Sequence, residues 1–416
     1  MSLTNTQITL LKEFTLLFAP HEIYLVGGSV RDIMLDRPGD DFDFATSALP
    51  TESEAILREW GNQFWDPGAE YGTVCASKLM GPESDPYSVK VEVTTYRKDT
   101  YDPDSRKPEV EFGDNIHDDL LRRDFTVNAM AMRLNANGDV ELAYLDGALD
   151  HLDAHLLKTP LDPEVSFADD PLRIIRAARF VSQLGFTMEE DTFGAIKRKA
   201  SELDKVAPER IIAELDKTLV GKNAYMGMSL LYYTDVLPRI LPGVIVNHFF
   251  HLDDLPRDLE TRWAGLLFGI GPVRAKELLI GLKHNHYIFN TVPRIIAIAK
   301  QFFARGGEWD AAQVRKFVWD AGENFHSAME LVYAMYPGSE SVQLFGNLYV
   351  QLADAGDVTD LKQPLDGADV MGYLQIPPGK LVGDAIKHLQ NHRLEYGPME
   401  ISQAYHQLNL WWKGKA

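Results

Sequence analysis

The chain has 416 residues, 45% hydrophobic and 25% charged, an ordinary globular balance with room for roughly two to four domains. Its formal net charge of −20 argues against a protein that wins nucleic acid by bulk electrostatics, because such affinity comes from neutralising phosphates. One cysteine, Cys75, excludes an intrachain disulfide framework and a thiolate metal cluster, and no apolar run approaches the roughly 18–20 residues of a membrane span. Residues 1–22 lack the basic start and small-residue cleavage site of a secretory signal, so a soluble cytoplasmic protein is expected. The charge describes the average surface and no particular groove. Between residues 272 and 317 eight Lys/Arg (Arg274, Lys276, Lys283, Arg294, Lys300, Arg305, Arg315, Lys316) stand against three acids (Glu277, Glu308, Asp310), enough for a local basic face.

Residues 1–155 mix β-type runs (IYLVGG, DFDFAT, TVCASKL, VKVEVTTY, VELAYLD) with helical segments over 29–35 and 51–60. GPESDPYS, residues 81–88, reads as a hairpin loop between TVCASKL and SVKVEVTTY. After residue 168 apolar residues recur at three- and four-residue spacing, which predicts helices over 171–184, 208–219, 259–269, 311–333 and 381–396. No internal repeat or low-complexity tract is present. The pattern is a compact α/β head followed by a helical arm.

The stretch LVGGSVRDIMLDRPGDDFDFATS, residues 25–47, carries the first chemical signal. Gly27 and Gly28 allow close backbone approach to a ligand, and Ser29 is positioned to N-cap the next helix, offering free N–H groups to a phosphate. Alternation in DFDFAT puts Asp41 and Asp43 on one face of a strand, with Phe42 and Phe44 on the core side. Two close carboxylates repel unless a cation lies between them, and Mg²⁺ favours such hard oxygen donors together with substrate phosphates. Glu92, inside the run VKVEVTTY, is the candidate third acid.

LVGGSVRD…DDFDFAT, VEVTTYR, LLRRDFTVNAMAM and DDPLRIIRAARFVSQLGF, in this order over residues 24–219, resemble the class II tRNA nucleotidyltransferases. This family comprises the CCA-adding enzymes and their bacterial poly(A) polymerase relatives, within the polymerase-β-like superfamily. The resemblance implies an α+β fold: a polymerase-β-like nucleotidyltransferase head with a small mixed sheet, then an elongated all-α neck, body and tail. The boundaries expected are a catalytic head over 1–155, a base-recognising neck over 156–225, a body over 226–335 and a tRNA-binding tail over 336–416. The activity implied is template-independent addition of CCA to the 3′ end of tRNA from CTP and ATP, with Asp41 and Asp43 as catalytic, Mg²⁺-binding carboxylates. Gly28, Arg31, Arg122, Arg123, Asp124 and Asn128 are the implied nucleotide contacts of the head, the arginines as bidentate phosphate donors.

In DDPLR, Pro171 fits the first turn of a helix with Asp170 as N-cap, and Arg173 follows one turn later. The family motif here is Glu-Asp-x-x-Arg, whose Asp and Arg recognise the incoming base, so Asp170 and Arg173 inherit those roles; Asp169 replaces the usual Glu. A carboxylate facing an exocyclic amino group and a guanidinium facing a ring acceptor suit cytosine and adenine. Uracil and guanine would present a carbonyl to a buried carboxylate, which is costly. Arg176 and Arg179 extend the basic series, and Glu209 and Arg210 in PERIIAEL resemble a supporting motif.

Residues 96–113 resemble the loop that CCA- and A-adding enzymes keep and CC-adding enzymes shorten. Full CCA addition is therefore expected, with A addition to tRNA ending in CC as the alternative and poly(A) synthesis less favoured, since the C-terminus NLWWKGKA lacks a strongly basic extension. Phe268-Gly269 stands where some relatives carry the His-Asp pair of a phosphohydrolase domain, so His248, His251, Asp253 and Asp254 are assigned to a helix connection. Residues 364–389 resemble the tail that contacts the tRNA elbow. Two other classes fit less well: an inactive RNA-binding relative, which would need a lost catalytic residue, and a small-molecule nucleotidyltransferase, which has no reason to keep RRDFTVNAMA or DDPLR. The sequence points to no membrane and no protein partner.

Overall fold

The computed structural model describes residues 3–37, 39–68, 72–82, 84–100, 109–135 and 137–415. Contacts divide the chain into two compact units, Met1–Pro242 and Gly243–Ala416.

The first unit begins with α1 (Asn5–Leu17), β1 (Ile23–Val26), α2 (Gly28–Met34), β2 (Asp41–Thr46), α3 (Pro50–Trp60), β3 (Gln63–Gly68), β4 (Thr73–Met80) and β5 (Tyr87–Thr95). A two-stranded hairpin follows, β6 (Arg97–Thr100) and β7 (Glu109–Phe112), then α4 (Ile116–Leu121), β8 (Met130–Leu134) and β9 (Val140–Tyr144). Seven strands form one mixed sheet in the order β3-β4-β5-β2-β1-β8-β9, in which β2 and β5 run parallel and the other neighbours antiparallel. The observed α+β head is the one expected. Alternation in DFDFAT decides which face is which: Phe42 and Phe44 are buried, and Phe44 meets Phe14 of α1 with ring centroids 4.6 Å apart. The hairpin expected across GPESDPYS forms, with Met80 opposite Tyr87. Strand β8 has no counterpart among the expected runs. Its sequence MAMRL contains no β-branched residue, and burial between β1 and β9 overrides that weak propensity.

The helical half of this unit comprises α5 (Ala148–Asp153), α6 (Pro163–Asp169), α7 (Leu172–Leu184), α8 (Glu190–Lys199), α9 (Pro208–Leu219), α10 (Ala224–Tyr233) and α11 (Val236–Ile240), with β10 (Leu156–Leu157) and β11 (Thr187–Met188) as a short parallel pair. Helix α7 is the central element and packs against both α9 and α10. Ser182 Oγ donates to the Thr218 carbonyl at 2.6 Å, and a Cβ placed on Gly227 would sit 2.7 Å from the Ala178 carbonyl oxygen. Only glycine permits that approach, so the axis of α7 is held tightly.

The second unit contains α12 (Leu259–Leu267), α13 (Pro272–Gly281), α14 (His286–Arg305), α15 (Ala311–Ala321), α16 (Phe325–Met335), α17 (Glu340–Asp354), α18 (Gly367–Leu374), α19 (Lys380–Tyr396) and α20 (Ile401–Lys413). The helix expected over 311–333 is broken in two, because Gly322 adopts φ +57° and closes α15. Residues 248 and 251 lie in the connection before α12. His251 is fully buried and burial pushes its pKa down to about 4, while the His248 ring occupies the space that a Cβ on Gly269 would need. An aromatic core joins Phe302, Trp309, Phe317, Phe325 and Phe345, and an aliphatic one gathers Leu365, Val370, Val382, Leu389 and Leu408. Between them Asp357 takes Arg315 and Arg393, each at 2.8 Å, with all three side chains buried. Arg315 also donates to the carbonyls of Leu394 and Glu395 at the end of α19. Removing one member of a buried charge cluster strands the others, so Asp357→Ala should lower unfolding stability by about 3–5 kcal/mol in urea titration. A loss below about 1 kcal/mol would show that the cluster is not a structural tie.

Candidate active site

Three strands build the floor of the site. Register pairs Asp43 of β2 with Glu92 of β5, and Glu92 with Cys75 of β4, so these residues form one row on a single sheet face. Asp43 is exposed, whereas Cys75 is fully buried. Burial, then the nearby Glu92 carboxylate, pushes the Cys75 thiol up to about 11, which makes it an inert part of the floor. Lys90 lies two residues before Glu92, on the same face, with Nζ 3.1 Å from its carboxylate. Asp41 pairs through its backbone with Lys90, but its side chain lies outside what the structure describes. Among the described residues no group of three or more His, Cys, Asp or Glu has metal-binding geometry.

The glycine turn stands beside this row. Gly27 adopts φ +69°, a backbone that favours glycine, and a Cβ there would fall 2.8 Å from Arg123 Nη1. Ser29 does not cap α2 as expected. The helix already starts at Gly28, and the Ser29 hydroxyl instead accepts from the Asp43 backbone N–H at 3.3 Å, tying the turn to β2.

RRDFTVNA supplies the next layer. Asp124 is buried and accepts from the Phe125 backbone N–H, from Asn128 Nδ2 at 2.8 Å, and from Arg176 through Nε at 2.8 Å and Nη2. Burial alone would raise its pKa, but the Arg176 guanidinium and the Asn128 amide outweigh burial and hold the carboxyl below its usual range. Asn128 Oδ1 in turn accepts from Arg31 Nη1 at 2.6 Å, and Arg31 grips Asp32 with two bonds at 2.8 and 2.9 Å. A continuous polar chain thus runs from α2 through the 126–128 turn to α7.

Helix α7 forms the facing wall. Arg176, Arg179, Phe180 and Gln183 line a cavity of about 730 Å³ together with Gly27, Gly28, Arg31, Asp43, Glu92, Arg123, Asp124 and Asn128. The Phe180 ring centre lies 5.4, 5.6 and 4.5 Å from the guanidinium carbons of Arg31, Arg176 and Arg179. Arg179 is held 3.0 Å from the buried Glu214 carboxylate of α9, and Lys217, one turn on, also reaches the cavity. The buried Nε–H groups of Arg123 and Arg179 have no acceptor among the described residues. The several guanidinium groups lining the cavity are suited to an anionic ligand.

Three expected residues stand behind this wall. Asp170 accepts from the Leu172 N–H at 3.2 Å, the capping bond expected of it, and lies 4.0 Å from Arg210. Arg173 is buried, donating to Ser166 Oγ at 2.7 Å and to the Arg122 backbone carbonyl. The Arg122 side chain turns to Asp119. Lys90, Phe180, Gln183 and Lys217 are wall residues that sequence reasoning passed over. Strand alternation from Glu92 points to Lys90, and the stripe 176, 180, 183 is legible at helical spacing. Lys217 carries no local signal, since only the packing of α9 on α7 brings it in.

Comparison with known proteins follows the same division. Residues 23–155 match the family described as Poly A polymerase head domain, and residues 185–246 the one described as Probable RNA and SrmB- binding site of polymerase A. The CCA-adding enzyme of Bacillus cytotoxicus is 32% identical over 390 residues, covering 90% of both chains. That of Enterococcus faecalis is 32% identical over 391 residues, covering 92% of this chain and 90% of its own. The crystal structure of Bacillus stearothermophilus CCA-adding enzyme in complex with CTP superposes with a TM-score of 0.75 at 26% identity, over 98% of this chain and 97% of that one. Likeness of this extent in sequence and fold makes the chain a member of the CCA-adding enzyme family.

Proposed function

We propose that this protein adds C, C and A to the 3′ end of tRNA from CTP and ATP. The observation that carries the reading is one cavity with acids on its floor and arginines on its facing wall, beside a glycine turn. The relatives' name and the CTP-bound neighbour support it.

In the reaction the 3′-hydroxyl oxygen attacks the α-phosphorus of the incoming nucleotide. The bond from that phosphorus to the bridging β-phosphate oxygen breaks, pyrophosphate leaves with the electron pair, and the hydroxyl proton passes to solvent. Arg123, fixed against Gly27, and Arg179 line the cavity and hold the triphosphate through their guanidinium groups. Asp43 and Glu92, adjacent in register and both hard oxygen donors, fit a divalent cation, which with Asp41 we assign as Mg²⁺. When bound, that ion supplies charge neutralisation at the triphosphate and acidifies the hydroxyl. The polar chain from Asp32 to Arg176 keeps turn and wall in one geometry, so alignment is built before the substrate arrives.

Base choice is assigned to the N-terminal end of α7, where Asp170 and Arg173 match the family motif. Arg173 must then exchange Ser166 and the Arg122 carbonyl for the base, a rearrangement of one side chain. In the loop over 96–113 that would separate CCA from A addition, β6 and β7 pair and residues 101–108 lie outside the described residues, so the assay decides between them.

Purified protein, Mg²⁺, and tRNA ending at the discriminator base should incorporate C, C and then A; A alone, on tRNA ending in CC, would establish the A-adding alternative. Asp43→Ala should cut incorporation by about a thousandfold or more, the several kilocalories expected of a metal-holding carboxylate. Near-normal turnover would remove Asp43 from the site. Arg173→Ala should reduce discrimination of C and A against U and G by about tenfold to a hundredfold. Unchanged selectivity would mean that its buried bonds are its whole role.

A further inference from the structure

Among the groups the mechanism leaves unused, one stands out by burial and partners. Asp119, on α4, is fully buried and carries two guanidiniums. Its Oδ1 accepts from Arg122 Nε at 3.0 Å and from Arg122 Nη2, and its Oδ2 from Arg123 Nη2 at 2.9 Å. Arg122 is the C-cap of α4 and Arg123 follows it in a turn closed by the Arg123 N–H on the Leu120 carbonyl, which brings both back to Asp119 one turn earlier. Burial alone would raise its pKa, but Arg123 and Arg122 reverse that and hold the carboxyl below its usual range. Asp119 is therefore a permanent anion facing two cations.

Its reach extends to the cavity through Arg123 alone. Arg123 lines the cavity, with Nη1 against Gly27 and Nη2 fixed by Asp119. Arg122 is tied to the same carboxylate but does not line the cavity, and Arg173 docks on its backbone carbonyl rather than its side chain. We propose that Asp119 is the positioning residue of the triphosphate subsite, clamping Arg123 between α4 and the glycine turn so that its guanidinium stays on the cavity lining toward the phosphates. The opposite effect is physically conceivable, since removing an anion leaves a more positive site. The clamp dominates because a long arginine that must order itself on binding loses rotamer entropy that a pre-set one has already lost.

The inference rests on the nucleotidyltransferase reading, so the wild-type chain is measured first. It should bind CTP more tightly than CMP, and failure there rejects the reading of the site itself rather than the role of Asp119. On that baseline, the ratio of CMP to CTP dissociation constants should fall about tenfold or more in Asp119→Asn, the loss expected when a charged hydrogen bond is broken. It should fall comparably in Arg123→Gln, and the double variant should fall no further than Arg123→Gln alone. The choice of C and A over U and G should stay unchanged, a split that a general loss of structure would not produce. An unchanged or increased ratio in Asp119→Asn, or losses that add in the double variant, overturns the proposal. If Asp119→Asn does not fold, Asp119→Glu carries the same test, because it keeps the charge but shifts it along a longer side chain. A lowered ratio that does not add to Arg123→Gln supports the clamp, and an unaltered ratio overturns it.

Discussion

The Asp124 carboxylate is the interaction on which the rest of the first unit turns. It is buried, ionised and matched by donors from its own segment and from Arg176, which lies 52 residues along the chain. A buried carboxylate without its cation costs several kilocalories, so the sheet half cannot keep its shape unless α7 docks. The docked helix brings Arg176, Arg179, Phe180 and Gln183 to the wall in one step. Asn128 passes the constraint on to Arg31, and Arg31 to Asp32 beside it on α2, the helix that follows the glycine turn. The acidic floor and the cationic wall are thus held together by one charge pair and its hydrogen bonds.

The same economy reconciles the acidic chain with a polyanionic substrate. Against a formal charge of −20, the cavity gathers Arg31, Lys90, Arg123, Arg176, Arg179 and Lys217 beside Asp32, Asp43, Glu92 and Asp124. Local field, not net charge, governs what such a cleft attracts. Buried acids serve this concentration of cations without cancelling it. Asp119, Asp124 and Glu214 each lie beneath an arginine, fix its direction and leave some of its donors facing the cavity.

Much of the floor was legible in the sequence because strand chemistry is local. Alternation in DFDFAT fixes which residues share a face, and the same period from Glu92 fixes its row. The glycine turn was legible as a turn, but its surroundings were not: Gly27 takes φ +69° with Arg123 Nη1 over it, a contact between segments 96 residues apart. Ser29 illustrates the converse. A serine after two glycines satisfies every local criterion for a cap, yet the N–H it meets belongs to Asp43 on the next strand. Asp119 reads in sequence as one more acid on a polar helix start, HDDLL, and only burial separates it from the half-buried Asp118 beside it. The α7 arginines show the limit most clearly. Their spacing announces a basic helix, but which of them reach the cavity depends on α9, Glu214 and the packing glycine at 227.

The most direct test of this account is the electron density of the protein crystallised with CTP. The account predicts a single nucleotide with its triphosphate between Arg123 and the Gly27–Gly28 turn and its base against α7, while the Asp124–Arg176 pair stays intact. A nucleotide whose phosphates lie away from Arg123, or whose base points away from α7, would contradict it.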